Sequence, residues 1–191
     1  MKCKTGLRRP LLIALCASLL ASASVTPTTL AHMSVAKLTH ASRLILRARC
    51  LENSTEWHAG EIWTFTTYEP TEVWKGSAPA RVSVRLLGGR IGNLTSNVSG
   101  VPRFHAGEDV VLFLTPTTLG DFSVVSWVQG TFRIRHDQRT GEDMVAQDSA
   151  SFETFDPLTR KFAASGIRDI SLQELRSQVA AALRQESGAQ K

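Results

Sequence analysis

Apolar and polar residues alternate with a period of two along much of this chain. From residue 43 to 51, Leu44, Leu46, Ala48 and Cys50 fall on one side, with Arg43, Ile45, Arg47 and Arg49 on the other. A half-buried strand produces this pattern, because successive side chains project to opposite faces. Ser34 stands before Val35 and Leu38 as the cap of a short helix. Glu52-Asn53-Ser54-Thr55-Glu56 reads as a turn after the first strand. Residues 62–68 are aromatic and β-branched, as strands prefer, and Pro70 marks an edge or a bulge because it cannot donate to a ladder. Val82, Val84 and Leu86 alternate with Arg81, Ser83 and Arg85. The unbroken apolar run 110–114 predicts a strand covered on both faces. Residues 122–128 and 131–135 read as neighbours across a bend at Gln129-Gly130, and Met144-Val145-Ala146 as a further short strand. At the C-terminal side, Ser171-Leu172-Gln173-Glu174 is a capping box. Leu172, Leu175, Val179, Ala182 and Leu183 then form a helical stripe that needs a surface to dock on.

Residues 88–107 break both periodicities. They hold Gly88, Gly89, Gly92, Gly100 and Gly107 among Asn and Ser. A loop of about 20 residues is longer than most connections in a compact domain, so it is either functional or mobile. A tolerated insertion is the plain alternative to a binding element.

The first ten residues carry Lys2, Lys4, Arg8 and Arg9, and an apolar run follows over residues 11–20. That run suits a signal peptide and falls short of the ~20 residues of a spanning helix. Ala21-Ser22-Ala23 offers a cleavage site, and Thr29-Leu30-Ala31 a second. A membrane anchor is the alternative. Leu15 precedes Cys16 where lipidation wants a small residue. The chain has 22 Lys and Arg against 17 Asp and Glu, a net charge of +5. Four of those basic residues and no acidic ones precede residue 32, leaving 18 against 17. The basic character therefore belongs to the export signal and does not indicate a nucleic-acid surface. Cys3 and Cys16 leave with the signal, so Cys50 has no intramolecular partner and reads as a core residue, with an intermolecular disulfide as the rival.

Catalytic and metal motifs are weak throughout. His32, His40, His58, His105 and His136 show no short metal spacing, although cleavage after Ala31 would make His32 an N-terminal chelator. No serine sits in a Gly-x-Ser-x-Gly elbow. Glu69 and Glu72 flank Pro70 on a solvated edge, and Gly88-Gly89-x-x-Gly92 lacks the Lys-Ser/Thr ending of a phosphate loop. Arg43, Arg47 and Arg49 read as a soluble strand face guarded against edge pairing, with a polyanion stripe as the alternative. Asn53, Asn93 and Asn97 begin glycosylation sequons by letter.

Several segments resemble those of uncharacterised exported bacterial proteins. They are Leu44-Ile45-Leu46-Arg47-Ala48, Val73-Trp74-Lys75-Gly76, Gly88-Gly89, the Pro-x-Phe-x-x-Gly-Glu stretch from Pro102 to Glu108, Phe113-Leu114 and Gln129-Gly130-x-Phe132. Together they lie within residues 33–136. The strand order also resembles an OB-type barrel of the netrin and tissue-inhibitor-of-metalloproteinase kind. That resemblance implies a fold and no inhibitory residues, since the inhibitor's N-terminal cysteine and disulfide-pinned edge have no counterpart here.

The expected protein is therefore mainly β: a small antiparallel OB-like barrel with a short N-terminal helix and a C-terminal helix. Its expected divisions are a signal peptide over 1–23 (or to 31), a barrel over 33–147, a connecting loop over 148–170 and a helix over 171–185. The expected function is non-catalytic binding, secreted or periplasmic, without cofactor or metal. The partner would be another exported protein or an extracellular ligand, with no nucleic acid and no membrane span after signal cleavage. Candidate contacts are Arg90, Ile91, Leu94, Val98, Arg103 and Phe104 of the Gly-rich stretch, with Trp57 and Trp63 as aromatics that core packing could equally claim. The rivals are a secreted enzyme with a site assembled from distant residues, and a glycan- or polyanion-binding domain with aromatics and arginines on one face.

Overall fold

The computed structural model describes residues 31–151, 153–156, 160–164 and 166–189, so the expected signal peptide and its two candidate cleavage sites, Ala31 apart, lie outside the described residues. The fold is mainly β. Helix α1 (Val35–Ala41) starts at Ser34, whose hydroxyl accepts from the Lys37 amide. Strand β1 (Leu44–His58) then runs antiparallel to β2 (Glu61–Lys75). The turn between them is Ala59-Gly60, both at positive φ (52° and 85°), and not Glu52–Glu56 as the polarity suggests. Those polar residues continue the strand because β1 projects beyond the core, where nothing apolar is needed to cover them. Pro70 sits at a register shift, with Arg47 opposite Glu72 and Ala48 opposite Pro70. Pairing of β2 with β3 (Val82–Leu87) ends at Tyr68, so the amide missing at Pro70 interrupts no ladder on that side.

The Gly-rich stretch is folded, contrary to its reading as an unstructured loop. It contains a hairpin of β4 (Gly89–Ile91) and β5 (Leu94–Ser96). Strand β6 (Asp109–Pro116) follows, then β7 (Phe122–Val124), a 3-10 turn at Trp127–Gly130, β8 (Thr131–Asp137) and β9 (Glu142–Gln147). Residues 148–170, expected as a loop, carry a 3-10 turn at Asp148–Ser151, a hairpin of β10 (Glu153–Asp156) with β11 (Lys161–Ala164), and the start of β12 (Ile170–Ser171). Helix α2 (Leu172–Ala189) begins where Ser171 Oγ accepts from the Glu174 amide at 3.0 Å.

Strand neighbours explain the burial. The pairings run β1–β2, β2–β3, β3–β7, β7–β6 and β6–β1, with β3 and β7 parallel through Val84 and Phe122. Strand β6 also pairs with β8, from which β9 and β12 extend. The expected pairing of 122–128 with 131–135 does not occur, because β6 lies between β7 and β8.

Two apolar clusters lie on opposite faces of β1 and β6. Leu44, Leu46, Ala48 and Cys50 join Val110, Leu112, Leu114, Val84 and Tyr68 in one. Ile45, Val111 and Phe113 join Phe132, Leu38, Leu175 and Val179 in the other, beneath both helices. The run 110–114 is apolar throughout because each face of β6 lines a different core, and burying each such side chain contributes ~1.5–3 kcal/mol. The N-terminal half of β1 lies between β2 and β6, so its arginines do not guard an edge. Cys50 is buried, which removes it from intermolecular pairing, and burial raises its thiol pKa.

Candidate functional site

The end of the β1–β2 hairpin and the β4–β5 hairpin enclose a groove of about 280 Å³. Its position depends on Gly88 and Gly89, at φ 88° and 144°. A Cβ on Gly89 would collide with Thr64 Oγ1 and lie 2.6 Å from Thr55 Cγ2. The chain can therefore fold β4 tightly over β1 and β2 only with glycine there. Three hydrogen bonds fasten it: Gly88 N to Ile62 O (2.6 Å), Thr64 Oγ1 to Gly88 O (2.7 Å) and Arg103 Nη2 to Ser96 O (2.9 Å).

Trp57 and Leu94 line this groove and remain 53% and 57% exposed, with Ile62, Leu87, Val98 and Glu61 completing its walls. Ile62 is 4% exposed, and Leu87 and Val98 pack against the first apolar cluster. Large apolar side chains left in water beside a packed floor form a surface for an apolar ligand group. The electrostatics are one-sided. Glu52, Glu56 and Glu61 are exposed around the same hairpin and form no ion pair among the described residues.

The eight sequence candidates separate clearly. Trp57, Leu94 and Val98 meet in the groove. Arg90 is exposed, with Nε bound to Gly92 O at 3.0 Å, and Ile91 is half-buried in the hairpin. Arg103 fastens Ser96 and does not reach outward. Phe104 is 6% exposed, packed edge-on to Tyr68 with ring centroids 5.5 Å apart, and is a core residue instead of a contact. Trp63 lies on the other face of β2, where the Arg85 guanidinium stands 5.4 Å from its ring and 5.2 Å from Phe65. Glu61, Ile62 and Leu87 were missed. The Ala59-Gly60 dipeptide is the sequence signal that would have found the first two, as a two-residue hairpin turn.

Two charged clusters lie elsewhere. Arg133 reaches Glu108 (2.6 Å), both oxygens of Asp148 (2.6 and 2.9 Å) and the Arg103 carbonyl (2.6 Å), while covering the Phe104 ring at 5.2 Å. Burial raises the Asp148 pKa even against the guanidinium. Burial also pushes Glu108 up, but hydrogen bonds from His105 and the charge of Arg133 outweigh it and hold Glu108 below its ordinary value. This cluster pins residues 103–108 to β8.

The second cluster borders a groove of about 270 Å³ between β2, β9 and the start of α2, lined by Glu72, Trp74, Glu142, Asp143 and Arg176. Arg47 contacts Asp143 at 3.0 Å and Glu72 at 4.0 Å, Arg176 contacts Glu72 at 3.1 Å, and Arg49 contacts Asp109 at 3.1 Å. The hydrogen bond from His136, and then Arg47, lower the Asp143 pKa against its partial burial. A carboxylate held ionised as Asp143 is makes a poor proton donor. Arg47 and Arg49 are thereby engaged by acids. Among the described residues, no group of three or more His, Cys, Asp or Glu is placed to hold a metal ion, and no helix is long and apolar enough to cross a membrane.

No protein-family model, curated protein or solved structure matches this chain.

Proposed function

We propose that this chain is an exported, non-catalytic binding module on an OB-like barrel, and that its ligand seats in the Trp57–Leu94 groove. The observation that carries the reading is the pair of exposed apolar side chains facing one groove over a buried floor. The barrel reading is supported by neighbours that return from β6 to β1, with one parallel contact between β3 and β7. A partly open five-stranded ring of this kind presents loops at its mouth to ligands. Export to a secreted or periplasmic location is supported by the basic start, the short apolar run and the Ala-x-Ala site.

Two measurements test the proposal. Mass spectrometry of protein from the exported fraction should find Ser24, or His32, at the N-terminus; an intact Met1 there refutes export. A photo-crosslinking residue at position 94 should give a discrete adduct in that fraction. Excess unlabelled protein should suppress the adduct, and a Trp57→Ala variant should not. Equal suppression by both refutes the groove.

A second reading draws on the outer face of β2 and β3, where Trp63, Phe65 and Arg85 share one side. Asp121 neutralises Arg85 at 2.7 Å, which suits a neutral glycan and not a polyanion. Retention of neutral oligosaccharides that depends on Trp63 and ignores Trp57 would favour this face over the groove.

A further inference from the structure

We infer that the edge of β1 from Ser54 to His58 accepts an extended peptide as an added strand, one whose apolar and basic side chains alternate. The inference rests on the groove reading and names its occupant and mode of capture. Strand β1 has neighbours on both sides only as far as Arg49 opposite Asp109, whereas its pairing with β2 continues to His58 opposite Glu61. The next few residues are covered by the returning loop: Cys50 N donates to Glu108 O and Gly107 N to Cys50 O, each at 2.8 Å, and Asn53 Nδ2 donates to Phe104 O at 2.9 Å. From Ser54 onward, no backbone hydrogen bond to a third segment occurs among the described residues. In an antiparallel pair, alternate residues turn both N–H and C=O away from the partner strand. These groups are a template for another chain.

Register fixes what such a chain must carry. Trp57 pairs with Ile62 and Thr55 with Thr64, so these side chains share the face that opens into the groove. Glu56 pairs with Trp63 and Ser54 with Phe65 on the opposite face. An added strand alternates in the same way. One set of its side chains meets Trp57 and Leu94, and the other lies beside Glu56. Around this edge stand the unpaired carboxylates of Glu52, Glu56 and Glu61, with exposed His58 and with Arg90 on the neighbouring hairpin. Three acids against one permanent cation favour Lys or Arg in the occupant. The same acids oppose pairing with a second copy of this chain, because like charges would face each other.

The probe is the capped heptapeptide Lys-Val-Lys-Leu-Lys-Val-Lys, titrated into the purified protein by calorimetry and followed by amide hydrogen exchange. Alternate amides within 54–58 should gain protection. Affinity should fall at least about tenfold, ~1.4 kcal/mol, with Glu in place of Lys in the peptide, with N-methylation of its alternate amides, and in a Glu56→Lys/Glu61→Lys variant. Binding that ignores N-methylation, protection confined elsewhere, or no binding at millimolar peptide each overturn strand addition. If N-methylation has no effect but Trp57→Ala and Leu94→Ala still abolish binding, the groove reading stands while this inference falls.

Discussion

Replacing Arg133 with methionine removes one charge from the centre of the cluster with Glu108 and Asp148 while keeping an unbranched apolar stem over Phe104. The Asp148 side chain is 15% exposed and would lose both guanidinium contacts, and the Arg103 carbonyl would lose its donor. Breaking a fully buried pair from one side costs ~3–5 kcal/mol. Because the Arg133 side chain is 34% exposed, solvent screening reduces this to ~2–3 kcal/mol. Urea unfolding should then show a midpoint lower by ~1–2 M. The pH dependence makes the test sharper. Asp148 has a folded pKa above its ordinary value, so its ionised form weighs against the fold, and loss of Arg133 raises that pKa further. The penalty of Arg133→Met should therefore be largest near neutral pH and shrink as pH falls toward the raised value. Glu108 runs the other way: its folded pKa is lowered, so its contribution is present above the unfolded value of ~4.3 and lost as pH falls through the folded one. Between pH 7 and pH ~5 Glu108 stays ionised in the unsubstituted protein, so the expected change in that range comes chiefly from Asp148. A penalty under ~0.5 kcal/mol, or one independent of pH, would show that the cluster is a surface pairing and the reasoning is wrong.

Two further substitutions probe the framework of the site. Gly89→Ala should destabilise by ~2 kcal/mol or more, from the clash with Thr64 and Thr55 and the positive φ; an unchanged thermal midpoint would mean that β4 does not lie as described. Phe113 and Phe132, with ring centroids 5.5 Å apart, should couple by ~0.5–3 kcal/mol in a cycle of Phe→Leu substitutions, whereas Phe113 and Leu112 should be nearly additive. Equal coupling in both cycles, measured by urea denaturation, would rule out two separate cores.

What could be read in advance was local. The cap at Ser34, the alternation of Val82, Val84 and Leu86, the doubly covered run 110–114 and the stripe from Leu172 to Leu183 each follow from periodicity within one element. The length of β1 did not, because hydrophobic patterning disappears where a strand leaves the core and only turn chemistry at Ala59-Gly60 marks its end. Nor did the separation of β7 from β8 by β6, which depends on contacts far apart in sequence. The engagement of Arg47 by Asp143 is equally non-local. At the groove, Leu94 and Val98 were conspicuous as apolar residues in a polar stretch and Trp57 as an aromatic. Leu87 reads as an ordinary strand residue, and the backbone at Gly88-Gly89 turns it into a wall of the groove.

The placement of β1 and β6 between the two apolar clusters also governs how the molecule comes apart. Each cluster borrows one side of the same pair of strands, so losing either leaves the other with an uncovered wall. No half of the molecule keeps a closed interior alone, and a separately stable fragment has nothing to rest on. The amides of residues 110–113 should accordingly exchange with solvent only through global unfolding, at the slowest rate in the chain. The protruding end of β1 is free of that constraint. There β1 is paired with β2 alone.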